Sequence, residues 1–233
     1  MRQSTGKTST NQAGVFAVEG IRGHTLTIKK LRKPGYVAVG LDGRVYYYAQ
    51  LSTQNGELYR PDGRNPVIYK MARLEKPAKL VSYEYRTEIP TVGSVQRSST
   101  GNGLLEGAFR LQFNRGDAVD AKKTRYDWTC TIQLERGGVQ RSVDEFMFLA
   151  PGEGYFEKLE IAMKASNPNW RQATDIDFFV RTASGKFGRF SAHIAGPLFA
   201  DEPHARVTLT GAINPSGDRS LEPPPAGGGT PPK

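Results

Sequence analysis

The chain has 233 residues, 37% of them hydrophobic, and a formal net charge of +9. This length corresponds to about one or two domains, and the hydrophobic content supplies a core, which excludes a wholly disordered chain. The sequence contains no apolar run near the roughly 18 residues that a membrane-spanning helix needs. Cys130 is the single cysteine, so an intramolecular disulfide is excluded. The basic excess lies in residues 1–90, which carry 15 Lys and Arg against 7 Asp and Glu.

Apolar residues in the first part of the chain alternate with polar ones at a period of two, which indicates β-strands. We expect residues 16–18 and 26–28 to pair as a hairpin across a glycine-containing turn. Residues 34–64 are rich in Gly, Pro, Asn and Asp turn sequences, and they enclose one short strand at 45–48. A further strand is predicted at 67–71, because proline can begin a strand without wasting a hydrogen-bond donor.

Residues 76–100 are polar and contain Pro77 and Pro90, so the sequence places a domain boundary in this stretch. Beyond it the alternation is more regular, and each apolar stretch predicts a half-buried antiparallel strand. Six such strands favour a β-sandwich. The predicted strands lie at 105–113, 128–134, 159–163, 176–180, 190–194 and 207–209.

The sequence therefore predicts an all-β protein in three parts. Residues 1–90 form a first β unit, and residues 101–222 form a second, antiparallel β-sandwich. Residues 223–233 are rich in proline and glycine and have little to bury, so they are predicted to be disordered.

Two stretches of the sequence resemble one known group of proteins. Residues 13–28 and the following Lys33-Pro34-Gly35-Tyr36 carry a Gly-x-Phe strand, a glycine turn, a Leu-x-Ile strand and a Lys-x-Gly-Tyr ending. This pattern resembles the later part of the carboxypeptidase regulatory-like domain, a small transthyretin-like β-sandwich. Asn65-Pro66-Val67-Ile68-Tyr69 resembles the last strand of that domain in large secreted or surface proteins of planctomycete- and verrucomicrobia-type bacteria. The resemblance implies a transthyretin-like fold for residues 1–90 and a secreted or cell-envelope location.

The second stretch resembles the uncharacterised C-terminal β region of the same proteins. Its motifs, in chain order, are Tyr126-Asp127-Trp128, Gly137-Gly138, Asp144-Glu145-Phe146-x-Phe148-x-Ala150-Pro151-x-x-Gly154-Tyr155, Trp170, Phe178-Phe179-Val180-Arg181, Lys186-Phe187-Gly188-Arg189 and Asn214-Pro215-Ser216-Gly217-x-Arg219-x-Leu221-Glu222. Family members begin with a signal peptide and at least two strands before the Gly-x-Phe strand, whereas a short polar stretch precedes it here. We therefore expect the first sheet to lack its leading strands, and the N-terminus as written shows no signal peptide.

No arrangement of histidine or cysteine predicts catalysis, a metal site or a cofactor. His24, His193 and His204 lie in separate segments, whereas a zinc site needs three or four convergent ligands. Cys130 alternates with apolar residues of a predicted strand, so we expect a buried thiol and not an exposed nucleophile.

Two carboxylate pairs leave a different hypothesis open. Asp144-Glu145 and Asp175-x-Asp177 are close enough in sequence for their carboxylates to act together. Glycoside hydrolysis uses two carboxylates, and an Asp-x-Asp sequence can contribute to a calcium site. Neither pair has the glycine-rich loop or the further ligands that calcium binding usually shows, so we assign neither a catalytic nor a metal site to them.

Aromatic residues near arginines form the candidate binding site. Aromatic side chains beside Arg suit sugar stacking or protein contact. The leading hypothesis is a non-enzymatic module that binds a polysaccharide or a protein surface, with a hydrolase and a basic nucleic-acid binder as alternatives. No nucleic-acid-binding motif accompanies the basic residues, so we expect no nucleic-acid partner, and the oligomeric state stays open. The candidate residues are Tyr46, Tyr47, Tyr48, Tyr59, Arg60 and Arg64, with Arg73, Tyr83 and Tyr85 in the same part of the sequence.

Overall fold

The computed structural model describes nine segments of the chain, which divide between two compact units. The first unit is Met1–Lys33 with Ala38–Met71, and the second is Pro34–Val37 with Ala72–Lys233. Every regular element among the described residues is a β-strand, which confirms the predicted all-β class. The described segments are residues 5–19, 23–38, 45–48, 58–60, 62–91, 95–97, 105–118, 124–199 and 202–224.

The strands are short in the first part of the chain and long in the second. They are β1 (Thr25–Thr27), β2 (Tyr36–Ala38), β3 (Val45–Tyr47), β4 (Met71–Arg73), β5 (Val81–Pro90), β6 (Val95–Arg97), β7 (Phe109–Ala118), β8 (Tyr126–Leu134), β9 (Gly137–Arg141), β10 (Lys158–Met163), β11 (Ala173–Thr182), β12 (Phe187–Ala195) and β13 (His204–Asn214).

The described part of unit 1 is built around one antiparallel pair, β1 with β3, in which Leu26 lies opposite Tyr46. Residues 16–18 do not form the strand that was predicted to pair with 26–28. The side chain of Asn11 instead accepts hydrogen bonds from the backbone N–H groups of Ala13 and Val15, both at 3.0 Å. Alternation alone does not make a strand, because the backbone also needs a neighbouring strand with which to exchange hydrogen bonds.

Unit 2 is a β-sandwich, which confirms the sandwich predicted for the second part of the chain. One sheet has the strand order β10-β8-β7-β6, and the other has the order β5-β13-β12-β11-β9. Side chains along β8 alternate between buried and half-buried positions over the whole strand, as expected for a sheet with one face on the core. The aromatic centre of the core joins the two sheets: Phe109 of β7 contacts Phe190 of β12 at 5.2 Å between ring centroids. Burial of each such side chain stabilises the fold by about 1.5–3 kcal/mol.

The division between the units differs from the predicted boundary. β5 lies within the stretch that was predicted to be irregular, yet it pairs with β13 along its length, from Val81 opposite Ile213 to Pro90 opposite His204. Its Tyr83 and Ile89 enter the core of unit 2. Residues 81–90 therefore belong to the second unit, and the chain divides near residue 71. Residues 225–233 of the predicted disordered tail lie outside the described residues.

A second, smaller core covers part of the outer face of the five-stranded sheet. Phe179 and Phe187 lie on outward-facing positions of β11 and β12, and both are buried. Residues 142–157 and 214–222 cover them, and the backbones of these two segments hydrogen-bond to each other, with Leu221 N donating to Phe148 O at 2.7 Å. The members of this second core are Met147, Ala150, Phe179, Phe187 and Leu221, with Leu80 and Tyr155 packed against them.

Residues 214–222, here called the clasp, also hold the chain that precedes β5. The buried carboxylate of Glu222 accepts hydrogen bonds from the backbone N–H groups of Glu75 and Lys76, at 2.7 and 2.8 Å. Asp218 forms an ion pair with the Lys76 side chain, and Ser220 Oγ donates to Lys76 O. The clasp thereby fixes residues 75–78 to the sandwich.

Candidate functional site

Three of the predicted candidate residues meet in unit 1. The Tyr46 and Tyr59 ring centroids are 4.8 Å apart, and the Tyr48 and Tyr59 centroids are 5.7 Å apart in an edge-to-face arrangement. The Tyr46 and Tyr69 hydroxyl groups share a hydrogen bond of 2.6 Å, and Phe16 lies 6.1 Å from the Tyr69 ring. We call Tyr46, Tyr48, Tyr59 and Tyr69 the tyrosine cluster.

The backbone of β3 explains which tyrosines belong to the cluster. Successive side chains of a strand point to opposite faces, so Tyr46 and Tyr48 share a face and Tyr47 lies on the other. The backbone N–H of Tyr59 donates to Tyr47 O at 2.7 Å, which holds residues 58–60 beside β3. The Tyr48 N–H donates to His24 O at 2.8 Å and extends the pairing with the β1 side.

All four rings of the cluster are half-buried, so each keeps part of its surface open to solvent. Burial raises the pKa of the Tyr48 hydroxyl, and the neighbouring Tyr59 and Tyr46 add to the increase. Tyr48 therefore stays protonated at neutral pH. A protonated tyrosine hydroxyl can both donate and accept a hydrogen bond, so the cluster offers polar groups next to apolar ring surface.

The structure does not bring the predicted arginines into this cluster. Arg60 and Arg64 are both exposed, and the Arg64 backbone N–H donates to Asp62 Oδ1 at 2.9 Å in a turn. Among the described residues no cation–π contact joins either guanidinium to a tyrosine ring.

Sequence reasoning missed Tyr69 and included two tyrosines that belong elsewhere. Tyr69 was assigned only to a strand at 67–71, and nothing in that local pattern shows that its hydroxyl meets Tyr46. Tyr83 and Tyr85 instead lie in β5 of unit 2, where Tyr83 contacts the Phe109 and Phe190 rings. The signal that separates them is the regular alternation of residues 81–90, which marks a strand of the sandwich.

Comparison of the chain with known protein families, with curated proteins and with solved structures found no match. In the part of the chain that the structure describes, nothing helical has the length and apolar character that crossing a membrane requires.

The Asp-x-Asp pair lies on the exposed outer face of the five-stranded sheet. Asp175 Oδ1 lies 2.8 Å from His193 Nδ1, and Asp177 accepts a hydrogen bond from Ser191 Oγ. These contacts join directly opposed residues of β11 and β12, which is the usual position for stabilising side-chain pairs across a sheet. The described residues contain no group of three or more His, Cys, Asp or Glu that could hold a metal ion.

The other candidate groups have structural surroundings. Asp144 accepts a hydrogen bond from the Phe146 N–H at 3.0 Å and forms a turn with Ser142. Cys130 is buried in the sandwich core, and burial raises the pKa of its thiol to about 12. A thiol in this environment stays protonated at neutral pH, whereas nucleophilic cysteines need a lowered pKa and access to solvent.

Proposed function

We propose that this chain is a non-enzymatic binding module whose tyrosine cluster binds carbohydrate. The observation that carries the proposal is the contact of the half-exposed Tyr46, Tyr48 and Tyr59 rings at centroid distances of 4.8 and 5.7 Å. A sugar ring presents C–H groups that pack on an aromatic face and hydroxyl groups that hydrogen-bond to polar groups at its edge. Tyrosine supplies both kinds of surface in one side chain.

The cluster is held together before any ligand arrives. Tyr59 contacts two other rings, and the Tyr46 hydroxyl is bonded to that of Tyr69. Side chains that are already ordered lose less conformational entropy on binding, so more of the contact energy appears as affinity. This preorganisation supports a binding role for the cluster over a purely solvent-facing one.

The sequence resemblance to carboxypeptidase regulatory-like domains supports an extracytoplasmic setting for this module. Domains of that kind accompany larger secreted or surface proteins, where polysaccharides are abundant ligands. In that setting, a non-enzymatic module would attach the larger protein that contains it to a polysaccharide or to a protein surface that carries carbohydrate.

Affinity electrophoresis of the full chain in gels that contain single soluble polysaccharides tests this proposal. Tyr59→Ala removes the ring that contacts both others, so we expect retardation on the binding polysaccharide to fall by about tenfold, which corresponds to about 1.4 kcal/mol. Tyr47→Ala is the matched control, because it removes the same side chain from the opposite face of β3. Thermal unfolding of both variants verifies that they stay folded.

Three results would contradict the proposal. One is the absence of retardation on every polysaccharide of the panel. Another is an equal loss of binding in the Tyr47→Ala and Tyr59→Ala variants, since the two faces of β3 would then not differ. A third is full binding by a folded Tyr59→Ala protein.

A further inference from the structure

Two arginines of unit 2 are anchored by the protein but form no ion pair with an acidic side chain among the residues that the structure describes. Arg181 lies near the end of β11, with its guanidinium 5.8 Å from the centroid of the Phe187 ring, and its Nη1 donates to Gly152 O at 3.4 Å. Arg219 lies in the clasp, and its Nε donates to Ala150 O at 2.6 Å. Each contact holds a guanidinium in place and uses only one of its five N–H donors.

Both guanidinium groups lie beside Gly152. A Cβ added at Gly152 would lie 3.4 Å from Arg219 Nη1. The carbonyl oxygen of the same Gly152 accepts the hydrogen bond from Arg181. Burial raises the pKa of the nearby Tyr155 to about 12, while the charges of Arg181 and Arg219 both act to lower it. Both guanidinium groups therefore lie close to the backbone of Gly152.

The acidic residues around this pair are already engaged or exposed. Asp218, next to Arg219, pairs with Lys76, and Glu106 pairs with Lys186. Among the described residues no carboxylate forms an ion pair with Arg181 or Arg219. Glu153 follows Gly152 directly and is exposed, so its charge lies beside the site.

A guanidinium with free N–H groups matches the geometry of carboxylate and sulfate, which it can bind through two parallel hydrogen bonds. We propose that Arg181 and Arg219, which both lie beside Gly152, form a binding site for the carboxylate or sulfate groups of an acidic polysaccharide. The site lies in unit 2 and does not depend on the tyrosine cluster.

The surroundings favour a polysaccharide over a nucleic acid. Phosphate groups follow one another closely along a nucleic acid, so its binding surfaces carry a stripe or patch of many Lys and Arg. On the outer face of the five-stranded sheet, basic side chains instead alternate with acidic ones: Glu84 pairs with Arg86, Glu88 with Arg206 and Asp175 with His193. Two exposed apolar side chains, Leu149 and Phe156, flank Gly152 in the sequence. Acidic sugars with apolar ring faces fit this mixture better than a dense polyanion.

The test measures binding of the full chain to polygalacturonate, which carries carboxylates, and to dextran sulfate, which carries sulfates. Neutral dextran and single-stranded DNA are the comparison polymers. We expect salt-sensitive binding to polygalacturonate, dextran sulfate or both, which Arg181→Gln or Arg219→Gln weakens about threefold to fivefold and the double variant about tenfold to twentyfold. Glu153→Gln should strengthen binding about twofold, since it removes a repelling charge.

Arg206→Gln is the matched control, because Arg206 is an exposed arginine on the outer face of the same sheet, at β13. It makes the same charge change and should leave binding within about twofold of the original protein. Arg219→Lys keeps the charge and should restore part of the binding lost in Arg219→Gln. Thermal unfolding identifies any variant that loses binding because it is unfolded. If the Arg219 variants are unfolded, the binding of folded Arg181→Gln decides whether the site exists.

The proposal is overturned if neither acidic polymer binds, or if Arg206→Gln weakens binding as much as the double variant. Binding to single-stranded DNA that is as strong and as sensitive to Arg181→Gln would overturn the assignment to polysaccharide. The proposal for the tyrosine cluster fails separately, through Tyr59→Ala and Tyr47→Ala, so either proposal can stand without the other.

Discussion

Glu222 provides the sharpest stability prediction, because one buried carboxylate holds two backbone groups of a distant segment. The residue is 8% exposed, and Oε2 accepts hydrogen bonds from the N–H groups of Glu75 and Lys76 at 2.7 and 2.8 Å. Hydrogen bonds to a charged acceptor contribute about 1.5–3 kcal/mol each. Glu75 and Lys76 are exposed residues, so water can replace part of the loss, and we expect Glu222→Ala to lower the free energy of unfolding by about 3 kcal/mol.

Urea unfolding followed by circular dichroism measures this change, and thermal unfolding gives an independent value. A loss of about 3 kcal/mol should lower Tm by about 6–12 °C in a domain of this size. Glu222→Gln keeps an oxygen acceptor but removes the charge, so its effect should be smaller, about 1–2 kcal/mol.

Glu160→Ala is the matched control, because Glu160 is an exposed residue of β10 in the same unit. Surface substitutions of this kind usually change stability by less than about 0.5 kcal/mol. A change of that size in Glu222→Ala would refute the conclusion that the carboxylate fastens residues 75–78 to the sandwich.

Two further predictions concern the sandwich core. Burial raises the pKa of Tyr126 and of Cys130 to about 12 each, so the folded state keeps protons that the unfolded chain loses at ordinary values near 10 and 8.5. The contribution of these two protonated groups to the free energy of unfolding is fully present below about pH 8 and is lost as the pH rises towards 12. A free energy of unfolding that stays constant from pH 8 to 11 would contradict this expectation. Gly211→Ala should destabilise by about 1–3 kcal/mol in urea unfolding, because its Cβ would lie 2.5 Å from Arg189 O and from the Phe190 ring. Ala212→Ser on the outer face is the control, and an equally stable Gly211→Ala protein would refute the close approach.

The tyrosine cluster shows how far local sequence reaches towards a site. The run Tyr46-Tyr47-Tyr48 predicted aromatic residues at a strand, and alternation separates Tyr47 from its neighbours. The contribution of Tyr69 depends on how residues 62–70 fold back to β3, and no period or turn residue in the sequence encodes that meeting. Arg181 and Arg219 are similar, because they are distant in the sequence and converge on Gly152 only through the second core.

The misassigned boundary has a related cause. Residues 81–90 carry Glu84, Arg86 and Glu88, and proline flanks them, so their local composition resembles a linker. Pairing with β13 buries Tyr83 and Ile89 and leaves the charged residues on the outer face. A strand partner that comes so late in the chain cannot be inferred from local composition.

The all-β class, most strands of the sandwich and the burial of Cys130 could be predicted from the sequence alone. These follow from alternation and turn residues, which act between neighbours in the chain. Three features became visible only in the folded structure. They are the place of β5 in the second unit, the hydrogen bonds of Glu222 to residues 75 and 76, and the meeting of Tyr69 with Tyr46 and of Arg181 and Arg219 at Gly152. The physical reason is that these contacts join segments whose approach depends on the packing of whole sheets, and that packing is a property of the entire core.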